Sequence, residues 1–189
     1  SSYQIIVDLN HLGFSTRDSI AIYNAFKEQT LDIIEKDIYT LVDAIPNIGF
    51  KKIDYIALNQ NVQPDDIRRV KATVVYVVRE ICNVVGHSYL SKELIVRNLY
   101  KVLGNISNEI FDQALKDVVQ EEKIVIEEDR YYLKEMYEAE CHIAYRLLYL
   151  QKKEAKKDKK LDQYIQDNQK LYQINYNIEQ IEAIRNAMT

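Results

Sequence analysis

Six residues supply most of the backbone punctuation in this chain: Gly13, Gly49, Gly86 and Gly104, with Pro46 and Pro64, in a length of 189. A sandwich or barrel needs turn residues about every ten positions, so little room is left for one and a mainly α chain is predicted. Apolar spacing agrees. Ile38, Leu41, Val42 and Ile45 recur at three- and four-residue steps, as do Phe50, Ile53, Ile56 and Ala57. Residues 73–78 are β-branched enough to be read as strand. Yet Ile67, Val70, Val74, Val77, Ile81 and Val84 hold a helical period for longer than a strand runs, so helix is predicted there too. The hydrophobic fraction of 47% and charged fraction of 29% are those of an ordinary globular protein. No apolar run approaches the roughly 18 residues of a membrane span, and no signal peptide is visible. Cys82 and Cys141 are too few and too far apart for a disulfide framework or a zinc site, so a reducing, cytoplasmic setting is expected.

Between the first two helical stripes lies the stretch 45–57. Pro46 stops one helix, and Lys51 and Lys52 open the next. Asn47 and Gly49 are the residue types that most readily take left-handed backbone angles, and Ile48 between them can drop into a core. A tight turn that ends at a helix start points several N–H groups at one spot, which suits a phosphate. The pattern resembles a helix-hairpin-helix, the module with which many DNA-handling proteins grip a phosphate backbone without reading sequence. Its usual hairpin is glycine, apolar, glycine; here Asn47 stands for the first glycine. A weaker echo, Leu12-Gly13-Phe14, lies about 36 residues earlier. It follows the apolar Ile5, Ile6 and Leu9 and precedes a helix that Ser15 caps, with Asp18 completing a capping-box pattern. Ile20, Ile22, Tyr23 and Phe26 are expected to pack that helix, and Thr30 to cap the following one. Residues 1–62 thus read as a tandem helix-hairpin-helix, with Gly13, Ser15, Asn47, Ile48, Gly49, Lys51 and Lys52 as candidate DNA-binding residues.

Charge limits that reading. The chain carries a net −4, and residues 1–62 hold 5 Lys/Arg against 8 Asp/Glu. Phosphate neutralisation supplies most non-specific affinity, so contact with single-stranded or forked DNA is expected to be weak in isolation. A polar connection over 59–64 marks the next boundary, with Asp65 and Asp66 expected in a first helical turn. Residues 63–135 then give helix, the short extended piece Gly86-His-Ser-Tyr-Leu90, helices capped by Ser91 and Ser107, and a β-hairpin turning at 128–130. That is the order of a winged-helix-like domain. Its pre-wing helix exposes Glu109, Asp112, Asp117, Glu121 and Glu122 against Lys116 alone. Phosphates would be repelled there, so a scaffold or docking role is expected rather than major-groove reading. Residues 136–189 read as a helical linker, including the lysine-rich run 152–160, followed by the start of a further domain.

In that last segment Tyr176, Asn177 and Gln180, with Ile181, Ala183 and Ile184, resemble an element of superfamily 1 helicases. There an aromatic residue and a helix-heading glutamine precede the phosphate-binding loop, and the amide pairs with adenine. The complete order is similar to the amino-terminal region of RecD-like ATP-dependent DNA helicases, the exonuclease V alpha-subunit family. Ile48-Gly-Phe-Lys51, Gly86-His-Ser-Tyr-Leu90 and the segment from Gln180 to Ile184 carry the likeness. The resemblance implies a parent enzyme that uses ATP and Mg to move 5′ to 3′ on single-stranded DNA in repair or recombination. It implies Tyr176 and Gln180 as nucleotide-binding residues, the motor domains of the same chain as partners, and a Walker A loop beginning just past Thr189. No membrane partner is expected.

Residues 1–189 show no phosphate loop, no metal-binding acidic pair and no His/Cys constellation, with His11, His87 and His142 scattered. No catalytic or metal site and no cofactor of its own is therefore expected. The alternative is a protein–protein adaptor without nucleic-acid contact. A base-excision glycosylase using Asp65 or Asp66 is excluded by their place after a polar linker without pocket aromatics. Purified protein is expected to release no phosphate from ATP, which a colorimetric phosphate assay checks.

Overall fold

A computed structural model describes residues 2–188, with the side chains of 154–158 and 188 left out. The side chains in the middle of the lysine run, and Thr189 as a whole, therefore lie outside the described residues. The chain divides into two units, Ser1–Tyr137 and Glu138–Thr189.

The first unit begins with helices α1 (Ser2–Leu12), α2 (Thr16–Phe26), α3 (Thr30–Asp37), α4 (Thr40–Ala44) and α5 (Phe50–Asn59). Leu9, Phe14, Ile22, Leu41, Ile48, Ile53 and Ile56 close into one core between them. Helix α6 (Ile67–Val85) follows, then β1 (Tyr89–Leu90), α7 (Lys92–Leu103), α8 (Asn108–Gln120), β2 (Ile124–Glu127) and β3 (Arg130–Leu133). The three strands form an antiparallel sheet in the order β1-β3-β2, with Leu90 opposite Tyr131 and Ile124 opposite Leu133. A second core gathers Val70, Val74, Val78, Ile95, Leu99, Ala114, Val118 and Leu133. Helix α6 serves both: Val70, Val74 and Val78 enter the second core, while Ala72 and Tyr76 pack against the first.

Local chemistry explains most boundaries. Ser15, Ser91 and Ser107 accept the N–H of Asp18, Leu94 and Ile110, satisfying a donor that each helix start would leave unpaired. The β2–β3 turn uses Glu128 and Asp129, both at positive φ (47° and 62°), the pattern of a two-residue primed turn. The chain is mainly α, with this small sheet.

Several expectations need correction. The stripe from Ile38 to Ile45 spans the end of α3 and the five-residue α4 rather than one helix. Thr30 does not N-cap α3; it begins that helix, closes the short 3-10 turn Lys27–Gln29 before it, and donates its hydroxyl to the Lys27 carbonyl at 2.6 Å. Ile20 and Val84, placed on packed stripes, are 45% and 82% exposed. Asp66 is the N-cap of α6 rather than a first-turn residue, accepting the Arg68 N–H at 2.9 Å.

One buried network joins the hairpin core to α6. Arg69 donates from Nε and one terminal nitrogen to the two oxygens of Asp54, at 2.7 and 2.9 Å, and from the other to the Pro64 carbonyl at 2.8 Å. The Tyr39 hydroxyl donates to the same Asp54 carboxylate at 2.7 Å. Burial, and then this bond, push the Tyr39 hydroxyl well above the usual tyrosine range, keeping it a donor. Every strong polar group in the cluster is therefore matched, as the burial of a charge pair requires.

The second unit is built on α9 (Lys134–Tyr172), whose first residues belong to the first unit, and α10 (Ile178–Met188). Helix α9 runs unbroken through the lysine-rich stretch. Ile165 is buried, and Arg185 of α10 pairs with Asp162 of α9 at 2.5 Å. Among the described residues no helix is long and apolar enough to cross a membrane.

Replacing Asp54 by Ala strands the Arg69 charge in the interior and is expected to cost about 3–5 kcal/mol, read as a lower urea midpoint at unchanged slope. A milder, acid-side effect comes from Asp66. Hydrogen bonds from the Arg68 guanidinium, with a further one from its backbone N–H, hold the Asp66 carboxyl below its usual value. Its contribution is present above the unfolded value of about 3.9 and is lost as pH falls through the lower folded one. Asp66→Asn should therefore flatten that acid limb of a melting-temperature profile.

Candidate nucleic-acid interface

The two hairpins reach one shape by different chemistry. At the first, α1 ends in a Schellman arrangement: the Phe14 N–H bonds Leu9 O at 3.2 Å and the Gly13 N–H bonds Asn10 O at 3.1 Å. Gly13 takes φ +110°, a value open to glycine, and Phe14 turns inward to 4% exposure. At the second, a turn closes from the Ile48 N–H to Ile45 O at 3.3 Å, with Pro46 and Asn47 in its middle. Proline before a positive-φ asparagine is the type II pattern, and Asn47 has φ +72°. Ile48 then turns inward to 3% exposure.

This geometry corrects the register of the repeat. Gly49 does not use left-handed angles; it is the extended N-cap of α5, at φ −82° and ψ 162°. Asn47 is thus the counterpart of Gly13, Ile48 of Phe14, and Gly49 of Ser15. The repeat unit is Gly13-Phe14-Ser15 rather than Leu12-Gly13-Phe14, and the offset is the 34 residues separating Asp18 from Lys52. A side-chain Cβ on Gly49 would meet nothing within 4 Å, so the space before the α5 start is open.

The hairpins sit side by side. A Cβ on Gly13 would lie 3.6 Å from the Ile56 side chain of α5. Asp18, third residue of α2, forms an ion pair with Lys52, third residue of α5. Lys52 is also the leading cause, by hydrogen bonding, of the depressed Asp18 carboxyl pKa. The N-terminal turns of α2 and α5 therefore lie on one face of the domain.

The candidate residues fare differently there. Gly13, Ser15, Asn47, Gly49, Lys51 and Lys52 are exposed around these turns, while Ile48 is core. The Ser15 hydroxyl is taken up by the Asp18 N–H. Lys52 is engaged by Asp18, whereas Lys51 has no ion pair among the described residues. Arg17, absent from the sequence-derived set, occupies the same second helical position in α2 as Lys51 in α5, and is likewise exposed and without an ion pair among those residues. Aligning the positive-φ residues Gly13 and Asn47, rather than the two glycines, would have found it.

In the second unit, the Gln180 Oε1 accepts the Asn177 N–H at 3.0 Å and Asn177 Oδ1 accepts the Gln180 N–H at 2.8 Å. That is a reciprocal capping box at the start of α10. Gln180 is exposed and Tyr176 half-buried.

Of the five acids on α8 and just beyond it, three pair with lysines, while Glu109 and Asp117 have no cationic partner among the described residues. Asp112 meets Lys92 at 3.2 Å, Glu122 meets Lys134 at 2.7 Å, and Glu121 pairs with Lys71. Asp117 accepts from Gln113 at 2.6 Å.

Two hairpins of matched geometry, packed on one core with both helix starts on one face, make a tandem helix-hairpin-helix domain. Residues 1–89 match the family model described as the ATP-dependent RecD2 DNA helicase HHH domain. The match over these residues supports an amino-terminal region like that of a RecD2 helicase, its helix-hairpin-helix domain being a DNA-binding accessory region. The matched stretch extends through α6 into β1, taking in the helix that lies against the hairpin core.

Backbone geometry gives a contrast to measure. Asn47→Gly should leave stability unchanged or raise it, while Asn47→Ala, at positive φ without a side-chain amide, should cost about 1 kcal/mol. Gly49→Ala should stay within about 0.5 kcal/mol, since its angles suit any residue. Thermal melts of the three variants test the corrected register.

Proposed function

We propose that the paired hairpins hold the phosphate backbone of single-stranded or forked DNA, without reading sequence, on behalf of the motor domains of a RecD2-like helicase. The observation that carries this reading is the placement of Arg17 and Lys51. They are equivalent cations beside two helix starts on one face, without ion-pair partners among the described residues. Backbone N–H groups at those starts and the open space before Gly49 supply the phosphate seat. The grip is weak alone because few cations face the ligand and the chain is net acidic.

The parent enzyme hydrolyses ATP with Mg and moves 5′ to 3′ in DNA repair or recombination, in the cytoplasm. The present residues position DNA and do no chemistry. In this reading 1–62 form the tandem hairpins, 63–135 a winged-helix-like scaffold, and 136–189 a helical link to the motor. Lysines that pair with Asp112, Glu121 and Glu122, beside Glu109 and Asp117 with no cationic partner among the described residues, fit a scaffold better than a groove reader. Tyr176 and Gln180 serve nucleotide binding at the motor's edge. Pairing with adenine would draw on both amide atoms of Gln180, so it would compete with the cap on Asn177.

Fluorescence anisotropy at low salt is expected to show micromolar or weaker binding to a labelled single strand, indifferent to base sequence. Arg17→Glu with Lys51→Glu should weaken it at least about tenfold, since each lost phosphate contact also lowers the salt slope by about 0.7. Binding unaffected by the double variant would refute the assignment.

A further inference from the structure

The two hairpin helices both carry an exposed cation at their second position, Arg17 and Lys51, but opposite charges at their third. Lys52 of α5 faces Asp18 of α2, and the two pair with each other. Lysine at this position would otherwise stand one residue from Lys51, beside the same helix start. The Lys52 side chain keeps 43% of its surface exposed and Asp18 keeps 16%. The ammonium is thus held at its inner side by a carboxylate that is itself largely covered. Asp18 is further fixed by its place in the first turn of α2, where the helix dipole favours an acid. Arg17 beside it also favours the ionised form.

We propose that Asp18 is an intramolecular competitor for phosphate, occupying Lys52 and so capping the affinity of the paired hairpins for a nucleic-acid backbone. A phosphodiester arriving at the α5 start must either leave Lys52 on Asp18 or exchange one anion for the other. In both cases Lys52 adds little net attraction. The carboxylate also places a negative charge on the face that meets the phosphates. A helicase accessory domain that must release each phosphate as the strand moves gains from such a limit, because a grip made of unmasked cations would slow release. This inference rests on the proposed DNA grip.

The test is a double-mutant cycle read by anisotropy on a labelled single-stranded oligonucleotide across a salt series. The four proteins are the wild type, Asp18→Asn, Lys52→Gln and the pair together. Released from its partner, Lys52 is expected to make one further phosphate contact. D18N should then bind several-fold tighter at low salt, with the salt slope steeper by about 0.7. With Lys52 already replaced, the same D18N change should give less than half that gain. Equal gains in both backgrounds would reduce Asp18 to a general charge effect and overturn the proposal, as would wild-type affinity and slope in D18N. If D18N melts below the assay temperature, Asp18→Ser carries the same comparison. Absence of binding by the wild type and by D18N alike would instead fail the grip itself, a result separate from wild-type binding that D18N leaves unchanged.

Discussion

The carboxylate of Asp54 holds this domain together. It is buried in α5 and receives three strong donors, two from Arg69 on α6 and one from Tyr39 before α4. Because α5 is also the helix whose start forms the second hairpin, the same contact fixes the direction in which that start points. Phe50, the first residue of α5, stacks on Tyr76 of α6 at 4.5 Å between ring centroids and on Tyr39 at 6.1 Å. Apolar burial drives α5 onto α6 without regard to direction; the bidentate pair and stacked rings select one arrangement. The candidate interface inherits its geometry from a polar cluster several residues inside it.

The exposed face is, by contrast, lightly built. Its two turns share a left-handed residue, an inward apolar side chain and an extended N-cap, yet only one of these three positions uses the same residue class in both. The common element is the apolar one, Phe14 and Ile48, whose burial lets each hairpin close over the shared core. Shape is preserved by packing, and the polar residues around it are free to differ. That freedom explains how the third helical positions came to hold opposite charges that meet.

Much of this was legible in sequence because it depends on local chemistry. The helical period from Ile67 to Ile81 overrode the strand propensity of 73–78, and α6 is helix. Ser15, Ser91 and Ser107 cap where they were expected, and the hairpin at 124–133 turns where its polar residues cluster. The repeat register failed for a specific reason. Glycine at 49 invites a left-handed reading, but that glycine serves an extended cap, and the left-handed role belongs to an asparagine. The charge pairs were invisible for another reason: Lys71 and Glu121 stand 50 residues apart, and Lys52 and Asp18 stand 34 apart. Only a fold brings such groups together, so a helix that reads as acidic can have part of its charge met by lysines distant in sequence. Likewise Asn177 and Gln180 carried a capping-box spacing, but the nucleotide likeness drew attention to the glutamine's other use.

Helix α6 has a consequence for how the molecule comes apart. Its Val70, Val74 and Val78 belong to one core and its Ala72 and Tyr76 to the other, with Arg69 anchoring the hairpins. A chain cut near residue 62 would keep every hairpin residue and lose the surface that covers Phe50 and Asp54. Such a fragment would have a carboxylate made for an interior and nothing to answer it. The two cores thus share their folding transition: α6 cannot leave either one without opening both, and the hairpins are as stable as the helix that follows them.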